Sequence, residues 1–145
     1  MMISTKGRYA LRVMVSLAQW EGEGFVPLKE IAQQQQISEK YLEAIVKLLV
    51  KAGFVVGLRG KGGGYRLARQ PGEYTMKEIL EVTEGDLVPV ACLEPNAKAC
   101  PRAGGCVTLP LWQGLNQVIQ GYLSGITLEQ LLNQAKEQGV PAGQI

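Results

Sequence analysis

Residues 5–19 place apolar side chains at Tyr9, Leu11, Val13, Met14, Leu17 and Ala18, a helical recurrence, with Ser4 or Thr5 in position to cap the start. Two glycines in EGEGF, residues 21–25, end that helix. After Pro27, the spacing of Leu28, Ile31 and Ala32 predicts a short second helix. Ser38 caps a third, EKYLEAIVKLLVKAG, which Gly53 stops. Its apolar face is Tyr41, Leu42, Ile45, Leu48 and Leu49. Lys40, Glu43, Ala44, Lys47 and Lys51 fall largely on the opposite side. Two short helices joined by a tight turn, the second basic and polar outside, match a helix-turn-helix. A helical hairpin with a solvated face would show the same pattern.

The period then drops to two. FVVGLRGKGGGYRLAR predicts strands over Phe54–Arg59 and Gly64–Ala68, joined by the turn Arg59-Gly60-Lys61-Gly62-Gly63. Glycines let a backbone approach a phosphate chain closely, and Arg59 and Lys61 bring charge to the tip. Arg59 can enter a narrow minor groove or grip phosphate. Following a helix-turn-helix, such a hairpin is a wing. The glycine run is not a nucleotide-phosphate loop, because GxxxxGK[ST] is absent and a strand follows it.

Pro71-Gly72 closes the wing, and Thr75 with Glu78 forms a capping box for MKEILEVTEG, whose Ile79, Leu80 and Val82 point to the core. VTLPLWQGLNQVIQGYLSG predicts a helix from Leu109 or Pro110 to Leu123. Leu111, Trp112, Leu115, Val118, Ile119, Tyr122 and Leu123 give it a wide apolar stripe almost without charge. A winged helix this small offers little core to cover such a stripe, so a dimer seam is expected. Thr127 caps a last short helix, LEQLLNQA, and the tail EQGVPAGQI is expected to fray.

Composition narrows the function. At 145 residues with 46% hydrophobic and 19% charged side chains, the chain is expected to fold as one domain, with or without an extension. No apolar run is long enough for a bilayer span, and Lys6, Arg8 and Arg12 interrupt any secretory signal, so a cytoplasmic location is expected. Residues 1–72 hold eleven Lys/Arg against five Asp/Glu, net +6, whereas residues 73–145 are net −4. The basic half is the half with the helix-turn-helix, as a polyanion-binding face requires.

All three cysteines lie in CLEPNAKACPRAGGC, at Cys92, Cys100 and Cys106, amid prolines and glycines that suit no core element. Thiolates are soft ligands, and an iron–sulfur cluster normally takes four protein donors. With three cysteines, the fourth position would fall to Glu94 first, or to Thr108, to one of Glu81, Glu84 or Asp86, or to an external ligand. Zinc is an alternative, although its usual cysteine pairs two to four residues apart are missing. Free thiols in a redox switch are another. No nucleotide fingerprint, histidine or nucleophile–base pair supports an enzyme.

The motifs ISTKGRYAL, LKEIA, ISEKYLE, LVKAGFV, RGKGGGYRLA and EVTEG resemble those of bacterial winged-helix regulators of the IscR/NsrR/CymR family, across roughly residues 2–135. Three close cysteines followed by VTLPLW look like its cluster-binding branch, and the amino-terminal half is also similar to the CymR branch. The resemblance implies a homodimer with crossed long carboxy-terminal helices on a pseudo-palindromic double-stranded operator, with no membrane partner. It implies that Cys92, Cys100 and Cys106 hold an iron–sulfur cluster, two-iron in preference to four-iron. Ser38, Lys40, Tyr41 and Glu43 would start the reading helix, and Arg59 would enter the minor groove. Lys6, Lys47 and Lys61 would mainly contact phosphate, beside Gly62. There are departures. The first cysteine spacing, C-x7-C, is longer than in IscR-like proteins. Their histidine ligand is replaced by Leu109, and the acidic ligand that NsrR-like relatives borrow from the first helix has no counterpart in residues 1–20, where Arg8 stands instead. A cofactor-free, CymR-like repressor of sulfur metabolism working with a protein partner is the alternative.

The expected architecture is mainly α with a small β-wing. It comprises a winged helix-turn-helix over 1–85, a cysteine loop over 86–108, a dimerisation helix and short terminal helix over 109–135, and a flexible tail over 136–145.

Overall fold

The structure, a computed structural model, describes residues 2–20 and 24–139. Residues 21–23 of the first predicted break and 140–145 of the tail lie outside the described residues. The helices are α1 (Thr5–Gln19), α2 (Leu28–Gln35), α3 (Glu39–Lys51), α4 (Met76–Glu84), α5 (Leu109–Ser124) and α6 (Leu128–Glu137). Strands β1 (Val55–Leu58) and β2 (Gly64–Leu67) pair antiparallel, with Val55 opposite Leu67 and Leu58 opposite Gly64. Each strand is shorter than predicted by residues at its ends. Phe54, expected in the first strand, instead donates its N–H to the Leu49 carbonyl at 3.0 Å and belongs to the end of α3.

The helix starts are chemically marked. Ser4 Oγ accepts from the Gly7 N–H at 3.1 Å, and Ser38 Oγ from the Tyr41 N–H at 3.2 Å. Thr75 and Glu78 close the predicted capping box. Thr127 and Gln130 form a second one. Each such cap stabilises its helix by about 1 kcal/mol.

α1 is the centre of the molecule. Ala10, Val13, Met14 and Val15 are fully buried, and Ser16 and Leu17 nearly so. A helix buried over so many consecutive positions is packed on several sides. Ile31 of α2, Leu42, Ile45, Val46 and Leu49 of α3, Ile79 of α4 and Leu128 of α6 are all fully buried in the same core. Within α4, Leu80 is buried as expected and Val82 is half-buried against that core. α6 therefore returns to the amino-terminal unit. Its entry is fixed by backbone bonds from Met76 N–H to the Ile126 carbonyl at 2.9 Å and from Leu128 N–H to the Tyr74 carbonyl at 3.0 Å.

Two devices set the wing against this core. Val26 adds a bridge to Tyr65, with two N–H···O bonds of 2.8 Å each. Tyr74, fully buried, donates its hydroxyl to the Phe54 carbonyl at 2.7 Å and accepts from the Arg69 N–H at 2.9 Å. Burial raises the Tyr74 pKa, which keeps the phenol neutral and able to donate.

Candidate nucleic-acid interface and cysteine loop

The helix-turn-helix turn is closed by Gln36 in a left-handed conformation, φ 54°, and by Ile37, whose N–H reaches the Ala32 carbonyl at 3.1 Å while its side chain is buried. This holds the start of α3 outward. Ser38 and Lys40 are exposed there. Tyr41 is half-buried, its ring edge-on to Tyr9 of α1 at 5.8 Å. Tyr41 thus joins the core contact expected of an apolar-face residue while keeping part of its surface at the helix start. Glu43 pairs with Lys47 at 3.3 Å on the exposed face, where such a pair adds little stability and leaves both groups available.

Between the polar face of α3 and the wing runs an open groove of about 540 Å³. Glu43, Lys47, Val50 and Lys51 of α3 line one side, Gly57, Leu58 and Arg59 the other, and Tyr65 of β2 completes the lining. Three cations, with Glu43 among them, thus line one concave surface between the helix and the wing, and clustered cations of this kind suit phosphate. Of the residues predicted for DNA, the structure brings Glu43, Lys47 and Arg59 together here. Ser38, Lys40 and Tyr41 lie at the other end of α3, Lys61 and Gly62 are exposed at the wing tip, and Lys6 is half-buried in the first turn of α1. Lys51 and Tyr65 join the groove beyond the residues expected for DNA. Lys51 was visible on the polar face of α3, but Tyr65 joins the groove only because β2 folds back beside β1. Other wing cations are spent on support. Arg66 stacks on Phe25 at 4.9 Å, and Arg69 on Phe54 at 5.0 Å.

The cysteine loop leaves α4 at Gly85 and enters α5 at Leu109, with only two 3-10 turns, Ala91–Leu93 and Ala103–Gly105, as regular structure. Its start is anchored. Leu87 is buried, and its carbonyl accepts from Gln120 Nε2 of α5 at 2.5 Å. The three thiols are free. Cys92 and Cys100 are exposed, and Cys106 is half-exposed with its sulfur 3.5 Å from the Thr108 hydroxyl. That hydroxyl and the neighbouring backbone N–H groups hold the Cys106 thiol below its ordinary pKa.

Among the described residues, no three His, Cys, Asp or Glu side chains stand close enough to hold a metal ion. The donor set fits an iron–sulfur cluster in kind, since three free soft thiols share one exposed loop. The single chain does not gather them. The supply of fourth donors is also smaller than the sequence implied. Glu84 accepts two hydrogen bonds from Ser4, and Glu81 pairs with Lys77 at 3.0 Å. Glu94 and Asp86 are exposed.

α5 splits its apolar stripe in two. Trp112, Ile119 and Leu123 are half-buried against their own chain. Leu111, Leu115, Val118 and Tyr122, at coiled-coil spacing, are exposed by 61%, 41%, 66% and 67%. No helix is long and apolar enough to cross a membrane among the described residues.

A model of the Rrf2 family, described as an iron-dependent transcriptional regulator, matches residues 3–134. The regulator IscR of Photorhabdus laumondii is 37% identical over 133 residues, which are 92% of this chain and 80% of that protein. CymR of Bacillus subtilis is 41% identical over 131 residues, 90% of this chain and 89% of that protein. Among solved structures, T. potens IscR superposes with a TM-score of 0.77 at 38% identity, over 97% of this chain and 93% of that one. The B. subtilis CymR structure, titled as the global cysteine regulator, gives 0.74 at 40% identity, over 92% and 98%. With its helix-turn-helix, its two-stranded wing and a match that spans nearly all of both folds, the chain belongs to the Rrf2 family and is a transcriptional regulator similar to IscR and CymR.

Proposed function

We propose that this protein is a cytoplasmic, homodimeric DNA-binding regulator whose operator affinity is set by the state of the Cys92–Cys106 loop. The observation that carries the DNA reading is the groove in which Lys47, Lys51 and Arg59 face one another between α3 and the wing. Ser38, Lys40, Tyr41 and Glu43 would read bases in the major groove, with Glu43 accepting from cytosine N4 or rejecting other bases by repulsion. Arg59 serves the minor groove, and Lys6, Lys47, Lys61 and the Gly62 backbone serve phosphates. The exposed row Leu111, Leu115, Val118 and Tyr122 supports pairing with the α5 of a second copy, which would match a pseudo-palindromic operator.

For the loop, Cys92, Cys100 and Cys106 would hold an iron–sulfur cluster, two-iron in type, with Glu94 as the first fourth donor to test. Bound there, the cluster would supply a redox-active, thiolate-held centre. The residues themselves provide soft donors on a loop anchored at Leu87 whose three thiols stand apart, so that gathering them would change the loop's shape. Anaerobic reconstitution should give a brown protein, and Cys100→Ser should abolish the colour without dissociating the dimer. A colourless product with stoichiometric zinc would reject the cluster. One observation favours a second reading: the thiols are exposed and ungathered, as a cofactor-free thiol switch or a CymR-like protein working with a partner would have them. Identical operator affinity before and after thiol oxidation would reject the thiol switch and the loop's role together, and a pull-down from cell extract that retains no protein would reject the partner reading.

A further inference from the structure

Two motifs separated by 80 positions meet in a single contact. Ser4 precedes α1 in STKG, and Glu84 ends α4 in EVTEG. One carboxylate oxygen of Glu84, Oε1, accepts from the Ser4 backbone N–H at 2.9 Å and from the Ser4 hydroxyl at 2.5 Å. Ser4 Oγ meanwhile caps α1 through the Gly7 N–H. The carboxylate approaches so closely that a Cβ on Gly7 would stand 2.2 Å from Oε1. Glycine costs helix stability relative to alanine, so its presence inside the first turn is explained by that approach. The carboxylate also complements the positive end of the helix.

The contact lies between the two functional regions. The cysteine loop begins directly after Glu84. Met2 and Ile3, just ahead of Ser4, line a surface cavity of about 290 Å³ together with Leu87, Ala91 and Glu94 of that loop, and Cys92 follows Ala91 in the chain. In the other direction Tyr9 of α1 touches Tyr41 at the start of α3. The chain therefore joins the loop to Glu84 directly at Gly85, Glu84 holds Ser4 at the start of α1, and α1 meets the start of α3 at Tyr9 and Tyr41. Coupling between these elements is read by perturbing the joint.

We propose that the Ser4–Glu84 contact is the joint that carries the state of the cysteine loop to the DNA-facing start of α3, with Glu84 as a positioning residue. This rests on the loop-controlled DNA binding proposed above. When the thiols are engaged, the segment between Gly85 and Glu94 follows them. Glu84, the residue before that segment, moves with it, and Ser4, held by Glu84, passes the displacement to α1. Since a single oxygen accepts both bonds, the joint needs an acceptor at that place and not a charge.

The test uses full-length protein and a duplex that it selects from a random-sequence library. Affinity is compared with the thiols free and after their carboxymethylation by iodoacetate, together with hydrogen exchange at residues 4–8 in the DNA-free protein. Wild type should show an affinity ratio of roughly 5- to 100-fold between the two states, the usual range of allosteric coupling. Glu84→Gln, which keeps the acceptor oxygen, should retain that ratio. Glu84→Ala should bring it close to one, as should Gly7→Ala, which displaces the carboxylate without disfavouring the helix and serves if Glu84→Ala folds poorly. Alkylation should alter exchange at residues 4–8 in wild type and Glu84→Gln but not in Glu84→Ala. A full ratio in Glu84→Ala and Gly7→Ala would overturn the joint and leave the loop switch standing. Loss of the ratio in Glu84→Gln would overturn the acceptor role. Should wild type itself show no ratio, the loop-controlled function fails, and exchange decides the joint separately: no change at residues 4–8 overturns it too.

Discussion

Gly64→Ala tests how the wing is held. Gly64 opens β2 with φ 151°, and a Cβ there would stand 2.2 Å from the Val26 carbonyl oxygen and 2.4 Å from its carbon. Those atoms are backbone and cannot rotate away. The substitution must therefore separate Val26 from Tyr65 and break their two 2.8 Å hydrogen bonds. Each is worth about 1 kcal/mol net. The unfavourable φ for an L-residue adds about 1–3 kcal/mol. The sum, about 3–5 kcal/mol, corresponds to a fall in melting temperature of about 10–15 °C for a chain of this size. Circular dichroism melts at equal protein concentration would measure it, since dimers melt in a concentration-dependent way. Gly104→Ala is the control. It has no neighbour within 4 Å of an added Cβ, and its effect should stay within about 0.5 kcal/mol. The wing would also leave its place beside α3, so operator affinity should fall by at least about tenfold, the loss of one charged Arg59 hydrogen bond worth about 1.5 kcal/mol or more. If Gly64→Ala melts within about 2 °C of wild type, a scale on which 1 kcal/mol is already visible, the close approach of Val26 does not constrain the wing and the argument fails.

Tyr74→Phe should destabilise by about 1–3 kcal/mol in chemical denaturation, because the Arg69 N–H loses its acceptor inside the fold while the ring packing on Phe54 remains. Val118→Glu should leave the fold of the subunit intact, since that position is 66% exposed, yet shift sedimentation from dimer to monomer by placing like charges across the proposed α5 seam; a dimer of unchanged stability would overturn that seam. Thr108→Val should raise the pKa of Cys106, because the hydroxyl that lowers it is gone. The thiolate then persists over a narrower range, so the pH midpoint for alkylation of Cys106 should move upward and its rate at neutral pH should fall. A faster rate would contradict the assigned hydrogen bond.

The order and type of the elements were legible in the sequence because each is signalled locally. Caps at Ser4, Ser38, Thr75 and Thr127 start four helices, and the run Gly60–Gly64 can only turn a strand back on itself. Helical periodicity also placed Leu42, Ile45 and Leu49 inside. It understated α1, where Val15 and Ser16 on the nominally polar side are buried as well, because periodicity records one packed face and cannot count how many neighbours arrive. The pairing of Ser4 with Glu84 has no local signal, since the two residues are 80 apart and each has an ordinary role of its own as cap and helix end.

By itself, the sequence determined the winged helix-turn-helix, the basic character of its outer face and the three thiols as the chemically distinctive group, because propensity, capping and charge act over a few residues. Only the tertiary structure decided the rest. It made one groove of Lys47, Lys51 and Arg59, returned α6 to the core beneath α1, divided the α5 stripe into an inner half and an exposed half, and withdrew Glu84 from the candidate ligands by binding it to Ser4. Each of these depends on which surfaces are left to be covered once the helices pack, and that is a property of the whole chain.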